Sequence, residues 1–132
     1  MRRYMIFVAI MLVGIIVPAS IYAIQSNSKD MKAYNEAIAL NYLKNAPTFK
    51  FDGILASIKI SESWQAQTFA YPGFWGVVIE FDCSHAGYGD RTGLTLAQVI
   101  THHSISIHVT EGQVSLAIMD NFWNEMTQRM IN

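Results

Sequence analysis

Apolar residues are distributed along this chain in three ways, and each predicts a different element. From Tyr4 to Ile24 they form an unbroken run, YMIFVAIMLVGIIVPASIYAI, of 21 uncharged residues behind Arg2 and Arg3. About 20 such residues, as a helix, cross the hydrocarbon core of a bilayer. The run also has the parts of a signal peptide, with Arg2-Arg3 as the charged end and Ala23 ahead of a cleavage site. The reading stays open between the two. Either way the positive-inside rule keeps Arg2 and Arg3 in the cytoplasm, so residues from Gln25 onward lie outside.

After the polar junction QSNS, where Asn27 and Asp30 have the spacing of an N-cap pair, the period becomes helical. Met31, Tyr34, Ile38 and Tyr42 fall on one face between Lys29 and Asn45, broadened by Ala33, Ala37 and Leu40, and Lys32, Glu36, Asn41 and Lys44 take the other. Pro47 ends this amphipathic helix, because the residue before a proline avoids helical geometry. Beyond Pro47 the period becomes that of a strand. DGILASIKIS (52–61) reads as one strand, Trp64–Ala70 as a weaker one, and Trp75–Cys83 as the strongest, after the turn Tyr71-Pro72-Gly73. GLTLAQVI (93–100) fits either a helical turn or a strand start. His103–Val109 and Val114–Ile118 alternate on either side of a hairpin turn at Glu111-Gly112. Phe122, Trp123, Met126 and Met130 give Asp120–Ile131 a helical spacing.

These elements predict an α+β fold. An N-terminal membrane helix or signal peptide (1–24) leads into a juxtamembrane amphipathic helix (25–46), which packs on a curved antiparallel sheet of about five strands in a β-rich extracytoplasmic head (47–132).

At 132 residues the chain has room for one domain, and a net charge of -1 with pI near 6.4 removes the electrostatic case for a nucleic-acid partner. The charged fraction of 14% is low for an ordinary domain, and the apolar run accounts for much of the deficit. Cys83 is the single cysteine, so outside the cell it is a buried thiol, a metal ligand or half of an intermolecular bridge.

Two stretches bear on chemistry. HAGYGDRTG (85–93) holds Gly87, Gly89 and Gly93, each free to take positive φ, and Arg91, whose fork suits a carboxylate or phosphate. It matches neither a P-loop, nor a dinucleotide fingerprint, nor a calcium loop. One reading makes it a structural connection, with Asp90 capping a turn and Arg91 paired with Asp82, Glu80 or a backbone carbonyl. The other makes Gly87, Tyr88, Gly89, Asp90 and Arg91, with Phe74, a surface for a protein or cell-surface partner. The second stretch concerns metal. In one strand His102 and His108 lie about 20 Å apart, too far to share an ion. The best ligand set for zinc or copper is therefore Cys83 and His85, which share a face, with His103 or, as the alternative, His102 from a neighbouring strand. No paired carboxylates or activated nucleophile stand out among Glu80, Asp82, Asp90, Glu111 and Cys83.

PTFKFDG (47–53), GYGDRTG (87–93), AQVITHH (97–103) and EGQV (111–114), followed by Trp123, together resemble a group of small, exported, largely archaeal proteins of unknown function. That resemblance implies a folded exported head and no particular activity. The order of apolar run, amphipathic helix and β-rich head also resembles the plan of type IV pilin-like proteins. The expectation is therefore an interaction module outside the cell, either anchored in the cytoplasmic membrane through residues 4–24 or secreted. A zinc or copper domain and a pilin-like filament subunit are the alternatives.

Overall fold

The computed structural model describes residues 28–68 and 71–131. The chain divides into two compact units, Met1–Ala33 and Tyr34–Asn132. Only the opening turns of a helix are described in the first, so the architecture below is that of the second. The apolar run 4–24 lies outside the described residues, as do its cleavage site and Arg2-Arg3.

Helix α1 covers residues 28–45, which agrees with the expected amphipathic helix, but its buried face is rotated from the expected one. Asn35, Ala39 and Leu43 face inward at intervals of four, while Tyr34 is 56% exposed. Small Ala39 lets the helix approach the sheet closely, and Ile38, Leu40 and Tyr42 close in at its sides. The chain breaks at extended Ala46 (φ -66°, ψ 136°) and restarts as helix α2, Pro47–Asp52, with proline in the first turn, where its missing N–H costs nothing.

The expected strand over 52–61 is therefore corrected. Its first half is the end of α2 and a single 3-10 turn, Leu55–Ser57. The Ser57 hydroxyl donates to the Ile54 carbonyl at 2.7 Å and accepts the Asp82 N–H at 2.8 Å, which fixes that turn against the sheet. Strand β1 (Lys59–Thr68) then merges the rest with the weaker strand expected next.

The sheet is an antiparallel meander in the order of the chain: β1, β2 (Tyr71–His85), β3 (Gln98–Thr110), β4 (Gln113–Met119), β5 (Trp123–Asn124) and β6 (Arg129–Met130). Trp75, Val77, Ile79, Phe81 and Cys83 of β2 lie beside His103, Ile105, Ile107 and Val109 of β3, all on the face that packs against Ala39 and Leu43. On β4 the inward residues are Ala117 and Met119, not Leu116 and Ile118. A bulge after Val114 places one extra residue on β4 and inverts the alternation.

The fold expected from the sequence thus needs correcting in the number of strands and in its last element. The sheet has six strands, not about five, and it dominates the described chain, beside one helix of about 18 residues. Among the described residues no helix is long and apolar enough to cross a membrane. The helix expected over 120–131 is the β5–β6 hairpin. Asp120 and Asn121 take φ of 51° and 62°, a left-handed turn that a helix does not contain, and the Asn124 side chain accepts the N–H groups of Met126 and Thr127 at 3.0 Å.

Candidate functional site

At the end of the sheet where β2 finishes, three segments meet: α2, the glycine loop 86–93 and the β5–β6 hairpin. Thr48 joins them. Its N–H and hydroxyl donate to the two oxygens of Glu125, each at 2.8 Å, and its hydroxyl accepts the Gly89 N–H at 2.6 Å. Its carbonyl accepts from Arg91 Nη2 at 3.3 Å and from the Cys83 thiol at 3.9 Å. The Trp123 indole N–H adds a bond of 2.7 Å to Glu125. Thr48 is fully buried and Glu125 nearly so, and a buried carboxylate is tolerable only when its oxygens are satisfied in this way.

Arg91 is the second fastener. It is 3% exposed; Nη2 reaches Asp52 Oδ1 at 2.6 Å, and Nη1 donates to the carbonyls of Gly87 and Ala86. The guanidinium lies 4.7 Å from the centre of the Phe51 ring. Asp52 uses its other oxygen for His85 Nδ1, at 2.8 Å. The arginine fork therefore holds one of the chain's own carboxylates inside the fold. Position 89 favours glycine: its φ is 69°, which strains other residues, and a Cβ there would also displace the Gln128 amide, 2.7 Å away.

A third group lies on the core side of the loop. The Tyr88 ring stacks on Trp123 (5.5 Å between centres, 12° between planes), and its hydroxyl donates to Asp120 at 3.1 Å. Asp120 also accepts His103 Nδ1–H at 2.6 Å and the Ser104 N–H at 2.8 Å. Burial works to raise the Asp120 carboxyl, but the bonds from His103, Ser104 and Tyr88 outweigh it and hold it below its ordinary value. Burial, reinforced by the Asp120 charge, pushes the Tyr88 hydroxyl up to about 12.

The residues singled out from sequence are thus divided among different settings. Gly87, Tyr88, Gly89 and Arg91 share the loop but turn inward. Asp90 is exposed, and its Oδ1 accepts the Thr92 hydroxyl at 2.6 Å and the Thr92 N–H at 2.9 Å, bonds that lower its pKa. Phe74 sits near the opposite end of β2, edge-on to His108 at 4.7 Å, and takes no part in this site. Burial and the neighbouring Asp52 carboxylate push the Cys83 thiol up to about 12, and a protonated, enclosed thiol is a poor nucleophile. His85 is engaged with Asp52 and His103 with Asp120. Among the described residues no three His, Cys, Asp or Glu side chains converge to hold a metal ion.

Sequence reasoning missed Thr48, Asp52, Asp120, Trp123 and Glu125 as parts of this end. PTFKFD carried a partial signal, a threonine and an acid flanking aromatics, but nothing local joins residue 48 to residue 125.

A hollow of about 590 Å³ opens to solvent between the helices and the loop, lined by Asn45, Pro47, Lys50, Phe51, Asp90 and Thr92. Its walls are the segments that Thr48 and Arg91 fasten together. Compared with known proteins, the chain matches no family model, no curated protein and no solved structure.

Proposed function

We propose that residues 34–132 form an extracytoplasmic interaction module that takes a protein partner at the hollow between α2 and the glycine loop. The observation that carries this reading is the construction of the hollow. Its rim residues Lys50, Asp90 and Thr92 are exposed, while the groups directly behind them, Thr48 and Arg91, are buried and bonded on several sides. Rims held in one shape lose little entropy on binding. The address outside the cell rests on Arg2, Arg3 and the uncharged run 4–24, and the motif resemblance to small exported proteins agrees with it.

The test is recovery of partners by the full chain from detergent-treated membranes. Lys50→Glu and Asp90→Asn, the second of which keeps the acceptor for Thr92, are expected to lose a recovered protein while melting like the wild type. A partner retained by both variants would place the contact elsewhere.

A further inference from the structure

A second hollow, of about 320 Å³, lies between the last turn of α1 and the β5–β6 hairpin, where Tyr42, Ala46, Pro47, Glu125 and Met126 line it. Glu125 is 2% exposed and is the one charged residue of its walls. Buried charges are ordinarily met by an opposite charge. Yet the three donors to Glu125, the Thr48 N–H, the Thr48 hydroxyl and the Trp123 indole N–H, are all neutral, and none of the ion pairs among the described residues includes it. Three donors converging on two oxygens suit the ionised carboxylate, which offers about four lone pairs. Oε2 takes the Thr48 hydroxyl at 2.8 Å and Trp123 at 2.7 Å, while Oε1 takes only the Thr48 N–H at 2.8 Å, so one lone pair of Oε1 stays open. Tyr42 faces this charge: burial first, and then Glu125, push its hydroxyl up to about 12, so the phenol stays neutral. The carboxylate thus brings a negative charge without a cation of the chain to a hollow whose other walls are uncharged.

We propose that this second hollow binds an aliphatic ammonium group, held by the open lone pair of Glu125 Oε1 and by the Tyr42 hydroxyl oxygen, with its alkyl chain along Ala46, Pro47 and Met126. An anion is repelled by Glu125. A guanidinium makes its strong pair through two parallel bonds to both oxygens of a carboxylate, and Oε2 has no lone pair left for the second. An ammonium is a compact point charge whose N–H groups bond singly, which matches one open lone pair beside one hydroxyl. The same group is carried by a free amine and by the lysine side chain of a bound protein. The site is separate from the contact proposed between α2 and the glycine loop and stands whether or not a partner is found there.

The probe is n-butylammonium chloride, titrated into the full chain in the detergent of its purification at about pH 7, where aliphatic amines are protonated. Two signals whose protons end on Glu125 are followed, the Trp123 indole N–H and the Thr48 amide. Saturable shifts of both are expected, with n-butanol and n-butylguanidinium each binding about tenfold more weakly, the loss of one charge-assisted contact. Tyr42→Phe keeps the ring and removes the hydroxyl, and it weakens n-butylammonium about fivefold, the loss of one hydrogen bond. Acetyl-lysine methylamide separates the two sources: binding equal to or tighter than n-butylammonium assigns the site to a protein's lysine, and weaker binding assigns it to a free amine. No saturable shift with n-butylammonium, equal binding of n-butanol or n-butylguanidinium, the same response to sodium chloride at equal concentration, or unchanged affinity in Tyr42→Phe overturns the inference.

Discussion

At the scale of single residues, Arg91 and Thr48 have more bonds to lose than any surface contact could return. Removing one partner of a buried ion pair costs about 3–5 kcal/mol, because the remaining charge keeps its desolvation penalty without compensation. Arg91→Ala is expected to fall near the lower figure, since His85 still faces Asp52, and urea unfolding monitored by fluorescence measures it. Thr48→Val preserves shape but takes the hydroxyl from both Glu125 and the Gly89 N–H; a loss of about 2–3 kcal/mol is expected in the same assay. Acid and alkali act through different groups. Asp120 has a lowered folded pKa, so its contribution is complete above its ordinary value of 3.8 and is lost as pH falls below it toward the folded value. Asp120→Asn should flatten the acid limb of a stability–pH curve. Cys83, Tyr42 and Tyr88 are raised to about 12 from ordinary values of 9.0, 10.0 and 10.0, so each favours folding below those values. Stability should therefore decline from about pH 9 to 12, as the unfolded chain ionises first.

At the scale of elements, the strands that alternate against a single buried face could be read from the sequence. Trp75–Cys83 and His103–Val109 follow such a pattern and lie inside β2 and β3. Elsewhere local periodicity misled. Phe122, Trp123, Met126 and Met130 have helical spacing, yet the left-handed Asp120-Asn121 turn and the Asn124 side-chain bonds make a hairpin. DGILASIKIS alternates well enough for a strand, but Pro47 starts a helix whose last turn consumes its first residues. The β4 register could not be read because one extra residue in a bulge moves Ala117 and Met119 inward. For the site, the loop was legible as a unit through its glycines and arginine. Its partners were not, because Asp52 precedes Arg91 by 39 residues and Glu125 follows Thr48 by 77, separations that only the tertiary fold closes. The hairpin is open to test at this scale. Asn124→Ala removes the acceptor for two backbone N–H groups, and an expected loss of about 1 kcal/mol should appear together with faster amide exchange at Met126 and Thr127.

At the scale of the whole unit, Tyr34–Asn132, a meander sheet with a helix on one face has its cooperative core at the centre, and loops at its ends would ordinarily open on their own. The glycine loop differs because buried bonds tie it to α2 and to the C-terminal hairpin, which fixes the walls of the hollow that Lys50 and Asp90 line. Amide hydrogen exchange at Gly89 tests the claim most directly, since that N–H ends on the Thr48 hydroxyl inside the fold. Exchange as slow as that of Ile79 and Ile105 in the central strands, and accelerated in Arg91→Ala, is the expected result. Exchange at the rate of an ordinary surface loop would contradict the account, leaving HAGYGDRTG a flexible connection and the hollow beside it without a fixed shape.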